Sequence, residues 1–249
     1  MSSIAVSFIV FTIIFGAAVV GMLLRRVLPE HHLSADSKEV IKLGTGLVAT
    51  MAALVLGLLV ASAKGSFDAQ SAEVTQASAN IILLDRLLAQ YGSETKEIRQ
   101  SLRDITVRAL EETWSKGRNG PPDFRAGGNE IMLEKIQGLS PENNLQRTIQ
   151  SQALNIAMNL GQTRWLMFEQ GVNSVSNPMV VVMVFWLAII FMTWGMFSRP
   201  NASVVASLVA AALSVSGAMF LILEMYNPYR GLIQISSAPA RVALAHLGQ

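Results

Sequence analysis

The side chains that could perform chemistry in this sequence are few, and they form no familiar catalytic or ligand-binding pattern. His31-His32 is the one cluster of histidines, and neighbouring residues point to different faces of a helix, so one metal ion would need a special loop to use both. The phosphate-binding and nucleophile motifs GxxxxGK[ST], GxGxxG and GxSxG do not occur. The glycine-rich segment 117–128 has no Lys-Ser or Lys-Thr after it. We therefore expect a solvated histidine pair, a connecting loop, no metal, no cofactor and no enzymatic activity.

Small and polar residues recur at three-four spacing in one apolar segment, and this pattern places them on one face of a helix. They are Gly46, Thr50, Ala53, Gly57 and Lys64. One hypothesis is that this face lines a route for ions, with Lys64 at a mouth where its charge attracts anions. The alternative is helix packing, because small residues let helix backbones approach closely in lipid. The candidates for packing alone are Thr45, Ala49, Ala61, Ser207, Ala211 and Ser214.

Four stretches without charge must position these residues: 4–24, 43–63, 179–197 and 202–223. All 19 basic and 17 acidic residues lie outside them. A bilayer core of about 30 Å requires about 20 apolar helical residues, and charge at its centre is costly. The sequence therefore predicts an all-α, polytopic membrane protein with four transmembrane helices. It excludes a soluble single-core enzyme, an outer-membrane barrel and a disordered chain.

The uncharged spans also bear on mechanism. A proton-coupled transporter normally has titratable residues inside its spans, whereas a passive pore does not need them. We expect Glu224, at the end of span four, to be within reach of water or lipid headgroups. We expect the phenylalanines of spans one and three to face lipid, and these are Phe8, Phe11, Phe15, Phe185 and Phe191.

The organisation predicted is spans one and two in 1–63, an extramembrane helical insert in 64–177, spans three and four in 178–225, and a tail with a short amphipathic helix in 226–249. Span two is expected to continue to about Tyr91, and a second helix to run over 94–116. Ser140-Pro141-Glu142 is a strong helix start. Alternating three-four spacing predicts a coiled-coil seam in a helical hairpin or bundle; its positions include Val74, Ala77, Ile81, Leu84, Leu88, Leu102 and Ile105.

Charge near the spans predicts the orientation. Arg25-Arg26 follows span one, while no basic residue precedes it. By the positive-inside rule, both termini and the insert then lie on the outer face of the membrane. The net charge of +2 comes from interleaved acids and bases, so nucleic acid is not an expected partner. The expected partners are the lipid bilayer and further copies of the chain.

The segment LPEHHLSADSK over 28–38 and the run GLVATMAALVLGLLVASAK over 46–64 resemble the bacterial bestrophin-like domain family of membrane proteins. Leu84-Asp85-Arg86 with Tyr91-Gly92, and Pro228-Tyr229-x-Gly231 with Ile235-Ser236, match the same pattern, although Asn227 stands where that pattern usually has Asp. The resemblance implies a relation to bestrophins, which are pentameric anion channels with a pore lined by the second span. Bestrophins keep their termini and insert in the cytosol, in conflict with the charge-based orientation.

Two functional hypotheses follow. The first is a homo-oligomeric, passive ion channel that is permeable to anions such as chloride and lined by span two. The alternative is a non-conducting membrane scaffold or sensor whose helical insert docks a partner protein.

Overall fold

The structure, a computed structural model, describes residues 2–27, 35–114, 128–172, 177–229 and 231–248, and within these ranges it contains helices and no strands. The helices are α1 (Ser3–Val27), α2 (Ala35–Tyr91), α3 (Lys96–Trp114), α4 (Gly128–Gln137), α5 (Asn144–Val172), α6 (Asn177–Phe197), α7 (Ala202–Met225) and α8 (Ala238–His246). His31-His32, Ser34 and most of the glycine-rich segment lie outside the described residues.

Four of these helices, α1, α2, α6 and α7, are long and apolar enough to cross a membrane. The prediction of an all-α membrane protein with four spanning helices is therefore confirmed. The chain divides into two compact units. The first comprises Met1–Ser66 and Val175–Tyr226, and the second comprises Phe67–Ser174 and Asn227–Gln249.

In the first unit, α1 packs closely along α6. The core contains Ile14, Ala18, Met183 and Phe191, each less than 2% exposed. Phe8 and Phe185 are exposed as expected, at 69% and 61%, whereas Phe11 and Phe15 are partly buried against the core. The expectation for Phe191 was wrong: its ring lies in the core, with its centroid 5.2 Å from that of Trp194. Apolar residue type alone does not distinguish lipid from core, because both environments favour it.

In the second unit, a core forms from the part of α2 that follows Ser66 together with α3, α4, α5 and the tail. Its buried residues include Leu84, Leu88, Leu102, Ile136 and Ala153. The seam positions Leu84, Leu88 and Leu102 thus lie inside, while Ile81 and Ile105 are partly buried against them. That these helices supercoil as a coiled coil remains a prediction.

The turn between α2 and α3 depends on Gly92. Its φ of 145° is in the region that favours glycine. The hydroxyl of buried Thr95 lies 2.5 Å from the carbonyl oxygen of Leu88 and 2.8 Å from that of Gly92. These contacts close the turn and a short 3₁₀ turn over Ser93–Thr95, which precedes α3.

Helix α5 begins later than its start signal predicts. The side-chain oxygen of Asn143 accepts a hydrogen bond from the backbone N–H of Gln146 at 2.8 Å, and the Gln146 side-chain oxygen accepts one from the N–H of Glu142 at 2.8 Å. This reciprocal arrangement resembles a capping box. The cap residue is thus Asn143, three residues after Ser140, and Pro141 precedes the helix.

Candidate functional site: the exposed face of the second helix

One side of α2 holds the helix against the core of the first unit. Thr45, Ala52, Leu59 and Ala63 are buried there, and Ala52, Leu59 and Ala63 belong to the core cluster. With about 100° of rotation per residue, these four positions fall on one stripe. Packing therefore determines which side of the helix faces away from the core.

The five predicted conduit residues, Gly46, Thr50, Ala53, Gly57 and Lys64, are all exposed. A Cβ atom built on Gly46 or Gly57 would meet nothing within 4 Å. By helical geometry the five lie within about 60° of one another. The structure therefore brings them onto one face that no other described part of the chain covers.

A second exposed face of α2 differs in kind. It carries Leu47, Met51, Leu54 and Leu58, which are 44–70% exposed. Its centre lies about 100° around the helix from the centre of the small-residue face. The large apolar face suits lipid tails, so the spanning part of α2 exposes two surfaces that do not require the same environment.

The polar groups of the small-residue face are not equivalent. The Thr50 hydroxyl donates a hydrogen bond to the Gly46 carbonyl oxygen of the same helix at 3.0 Å. Lys64 carries the positive charge of this face, and it lies at the end of the uncharged segment.

The sequence analysis missed one member of this face. Ala61 lies four residues after Gly57 and three before Lys64, so the same spacing places it on the stripe, and it is exposed. The spacing between Gly57 and Lys64 was the signal that could have identified it.

The residues assigned to helix packing separate into two groups. Thr45 is buried, and Ala49 and Ala211 are partly buried, whereas Ala61, Ser207 and Ser214 are exposed. Positions four apart drift by about 40° per step around a helix. A run from Thr45 to Ala61 therefore passes from the inner side to the outer side. Packing of the exposed members between copies remains a prediction.

The expectation for Glu224 was also wrong, because this residue is only 4% exposed and is therefore not accessible from outside the protein. It lies in the last turn of α7 beside Tyr226, whose hydroxyl is 3.3 Å from that of Ser62 on α2. The sequence places Glu224 near a helix end, but tertiary packing decides its exposure.

The residues that carry the family resemblance stabilise the second unit. Asp85 is 1% exposed and accepts two hydrogen bonds from Arg99, at 2.7 and 2.8 Å. This hydrogen bonding raises the pKa of the Arg99 guanidinium. The backbone N–H of Gly248 donates to the same carboxylate at 3.3 Å, and Arg103 donates to the Leu247 carbonyl oxygen at 3.0 Å. The ion pair thus also holds the end of the tail.

The tail motif forms a compact turn against α3. The N–H of Ile235 donates to the Pro228 carbonyl oxygen at 2.8 Å, and Gly231 has a φ of 131°. The Trp114 indole N–H donates to the Ile235 carbonyl oxygen at 2.9 Å, and its ring meets Tyr229 edge to face at 5.9 Å. Burial, with a smaller contribution from the charge of Glu73, raises the pKa of Tyr229.

A cavity of about 160 Å³ lies among α2, α3, α4, α5 and the tail within the second unit. Ile81, Leu102, Met132 and Met167 are among its lining residues. The hydroxyls of Ser78 and Thr106, which also line it, donate to carbonyl oxygens of their own helices at 2.7 Å. The lining is therefore mostly apolar, although Glu112 and Arg164 also belong to it. Among the described residues, no group of three or more His, Cys, Asp or Glu side chains could hold a metal ion.

Comparison with known proteins identifies a family. A family model described as the bestrophin-like domain matches residues 12–240. No curated protein and no solved structure matches the chain significantly.

Proposed function

Because the chain belongs to the bestrophin-like domain family, we propose that it is a passive ion channel, permeable to anions such as chloride. The channel is a homo-oligomer in which α2 lines the conduit. Transport requires no catalytic group and no cofactor, since the ion moves down its own gradient.

The observation that carries this proposal is the contrast between the two exposed faces of α2. Leu47, Leu54 and Leu58 form a surface that lipid tails solvate well, whereas Gly46 and Gly57 leave backbone accessible. Exposed backbone and a lysine are more stable in contact with water or with another helix than in contact with hydrocarbon. An axial conduit supplies that environment to one face and leaves lipid to the other.

The sign of the permeant ion rests on Lys64. The Thr50 hydroxyl proton is donated to Gly46, so it is not directed toward an ion. A ring of Lys64 side chains, one from each copy, concentrates anions at one mouth by Coulomb attraction.

A conduit of this kind needs several copies, because one helix face cannot enclose a path. Copies arranged around an axis place equivalent faces toward a common lumen. The relation to bestrophins favours five copies, and the setting proposed is a bacterial inner membrane. Arg25-Arg26 favours the outer face for the second unit.

Purified protein in lipid vesicles tests the proposal. We expect chloride efflux down its gradient, reduced at least tenfold by Gly57→Leu or Thr50→Leu, because the added side chain narrows the lumen. The matched control is Leu58→Met on the lipid-facing surface, which leaves the efflux unchanged. Lys64→Gln lowers the preference for chloride over potassium. Absence of flux with every salt tested would reject the channel.

The alternative function, a non-conducting scaffold or sensor, is favoured by exposed apolar residues on the second unit. Met158, Trp165 and Leu166 on α5 are 46–61% exposed. A protein that carries no flux but co-purifies with one stoichiometric partner, lost in a Trp165→Glu variant, would support the scaffold.

A further inference from the structure

Exposed charge is unevenly distributed over the second unit. Six of the eight exposed residues of α3 are charged, including Lys96, Glu97, Arg103 and Asp104. On α4, Glu130, Glu134 and Lys135 are exposed. These two helices have the surface expected of elements that face water.

The exposed face of α5 is different. Between Thr148 and Leu166 nine residues are exposed, and none is charged. Six of the nine are Ser, Thr, Asn or Gln, which would be costly to bury in hydrocarbon, so this face is not suited to lipid. The nine are Thr148, Ser151, Gln152, Asn155, Met158, Asn159, Gln162, Trp165 and Leu166.

The extramembrane part of α2 presents a second uncharged face. Between Ala69 and Leu83 six residues are exposed, and again none is charged: Ala69, Ala72, Thr75, Gln76, Ala79 and Leu83. Three of the six are alanine, so this face is low in relief. The α5 face carries the bulky Met158, Trp165 and Leu166, so the two faces are complementary in size.

From these two faces we infer that, in the assembled protein, the α5 face of one copy packs on the α2 face of the next copy. The inference rests on the proposed homo-oligomer and names its extramembrane interface. Interface centres are depleted of charge and enriched in Trp and Met, as the α5 face is. A partner with a charged surface would have to desolvate its charges against either face. A second copy of the chain instead offers an uncharged α2 face to the α5 face and an uncharged α5 face to the α2 face.

The contact is heterologous, because two different patches meet. Each copy then uses its α5 face on one side and its α2 face on the other. Such an arrangement closes into a ring when the rotation between copies divides a full turn. A two-fold dimer would pair each face with itself and would not make use of their difference in size.

Cysteine cross-linking tests the interface, because the sequence contains no cysteine and introduced thiols are therefore the sole ones. In full-length protein in membranes, Ala79→Cys is combined in turn with Asn155→Cys, Asn159→Cys or Gln162→Cys, and the thiols are oxidised. We expect at least one pair to give a ladder of covalent oligomers above the dimer, whose highest rung counts the copies. Each single variant stays monomeric, since its thiol meets no equivalent thiol. Ala79→Cys with Gln100→Cys, on the charged α3 face, is the control and gives no ladder.

The interface is overturned if none of the three pairs gives a product above the dimer, if the single variants dimerise as efficiently as the pairs, or if the thiols cross-link to another protein. Chloride flux is measured on the same variants under reducing conditions. A ladder without flux rejects the channel and keeps the interface. Flux without a ladder rejects the interface and keeps the channel.

Discussion

Gly21 on α1 and Gly195 on α6 bring the two helices into backbone contact from opposite sides. A Cβ atom on Gly21 would overlap the carbonyl oxygen of Met192, and a Cβ atom on Gly195 would overlap that of Ala18. Each glycine thus occupies a place where the partner helix leaves no room for a methyl group. Close approach at small residues is a principal means of helix association in lipid.

This contact predicts the effect of adding single methyl groups. Gly21→Ala and Gly195→Ala should each lower the free energy of unfolding by about 1–3 kcal/mol, because the overlapping backbone atoms must move apart. The thermal unfolding midpoint in detergent measures the change. Gly16→Ala, on the same helix with open space at its Cβ position, should leave the midpoint within error or raise it. Equal effects at Gly16 and Gly21 would show that the contact is unimportant.

The ion pair in the second unit predicts a specific loss of stability. Asp85→Asn removes the carboxylate charge from Arg99, whose side chain is 20% exposed, and weakens the hold on Gly248. Breaking such a largely buried pair costs about 3 kcal/mol. The midpoint of thermal unfolding should fall, and the C-terminal tail should become more sensitive to carboxypeptidase.

Arg86→Gln is the matched control for that variant. Arg86 neighbours Asp85 in the sequence but is exposed, and exposed substitutions usually change stability by less than about 0.5 kcal/mol. If Asp85→Asn proved as mild as Arg86→Gln, the ion pair would have no part in holding the tail.

The indole hydrogen bond of Trp114 predicts a milder effect. Trp114→Phe keeps an aromatic ring against Tyr229 but removes the donor to the Ile235 carbonyl oxygen, at a cost of about 1 kcal/mol. Amide hydrogen exchange of 228–236 should accelerate. Trp165→Phe, at a residue that is 61% exposed, should leave this exchange unchanged.

Tyr229 predicts a dependence of stability on alkaline pH. Its pKa is raised above the ordinary value of 10.0, so the folded state retains the proton at pH values where the unfolded state loses it. The contribution of the neutral phenol to the free energy of unfolding is complete below pH 10. Above pH 10 this contribution falls by about 1.4 kcal/mol per pH unit until the pKa of the folded state is reached. Unfolding midpoints across this range should decline less steeply in Tyr229→Phe. Identical slopes in both proteins would contradict a buried, neutral phenol.

The sequence predicted the four spans because the absence of charge over about 20 residues is decisive in lipid. It also predicted that Leu84, Leu88 and Leu102 face inward, since their spacing is helical. The positions of Phe191 and Glu224 could not be predicted in the same way. Exposure at those positions depends on which neighbouring helix covers them, and local composition carries no such information.

The candidate site was also predictable only in part. Sequence spacing placed Gly46, Thr50 and Gly57 on one face, and the structure exposes all three. Spacing did not distinguish that face from the packing side, where Thr45 lies. The close contact at Gly21 was also not predictable, because Gly16 on the same helix carries no such contact and nothing local separates the two.

The most direct test of the proposed conduit asks whether water reaches the small-residue face of α2 in the assembled protein. Gly57→Cys and Leu58→Cys variants, in vesicles, are treated with a charged, membrane-impermeant thiol reagent. The conduit predicts that the reagent modifies the Gly57→Cys protein and blocks its chloride flux, while the Leu58→Cys protein is neither modified nor blocked. Modification of the Leu58→Cys protein alone, or of neither protein while both conduct, would place the ion path elsewhere.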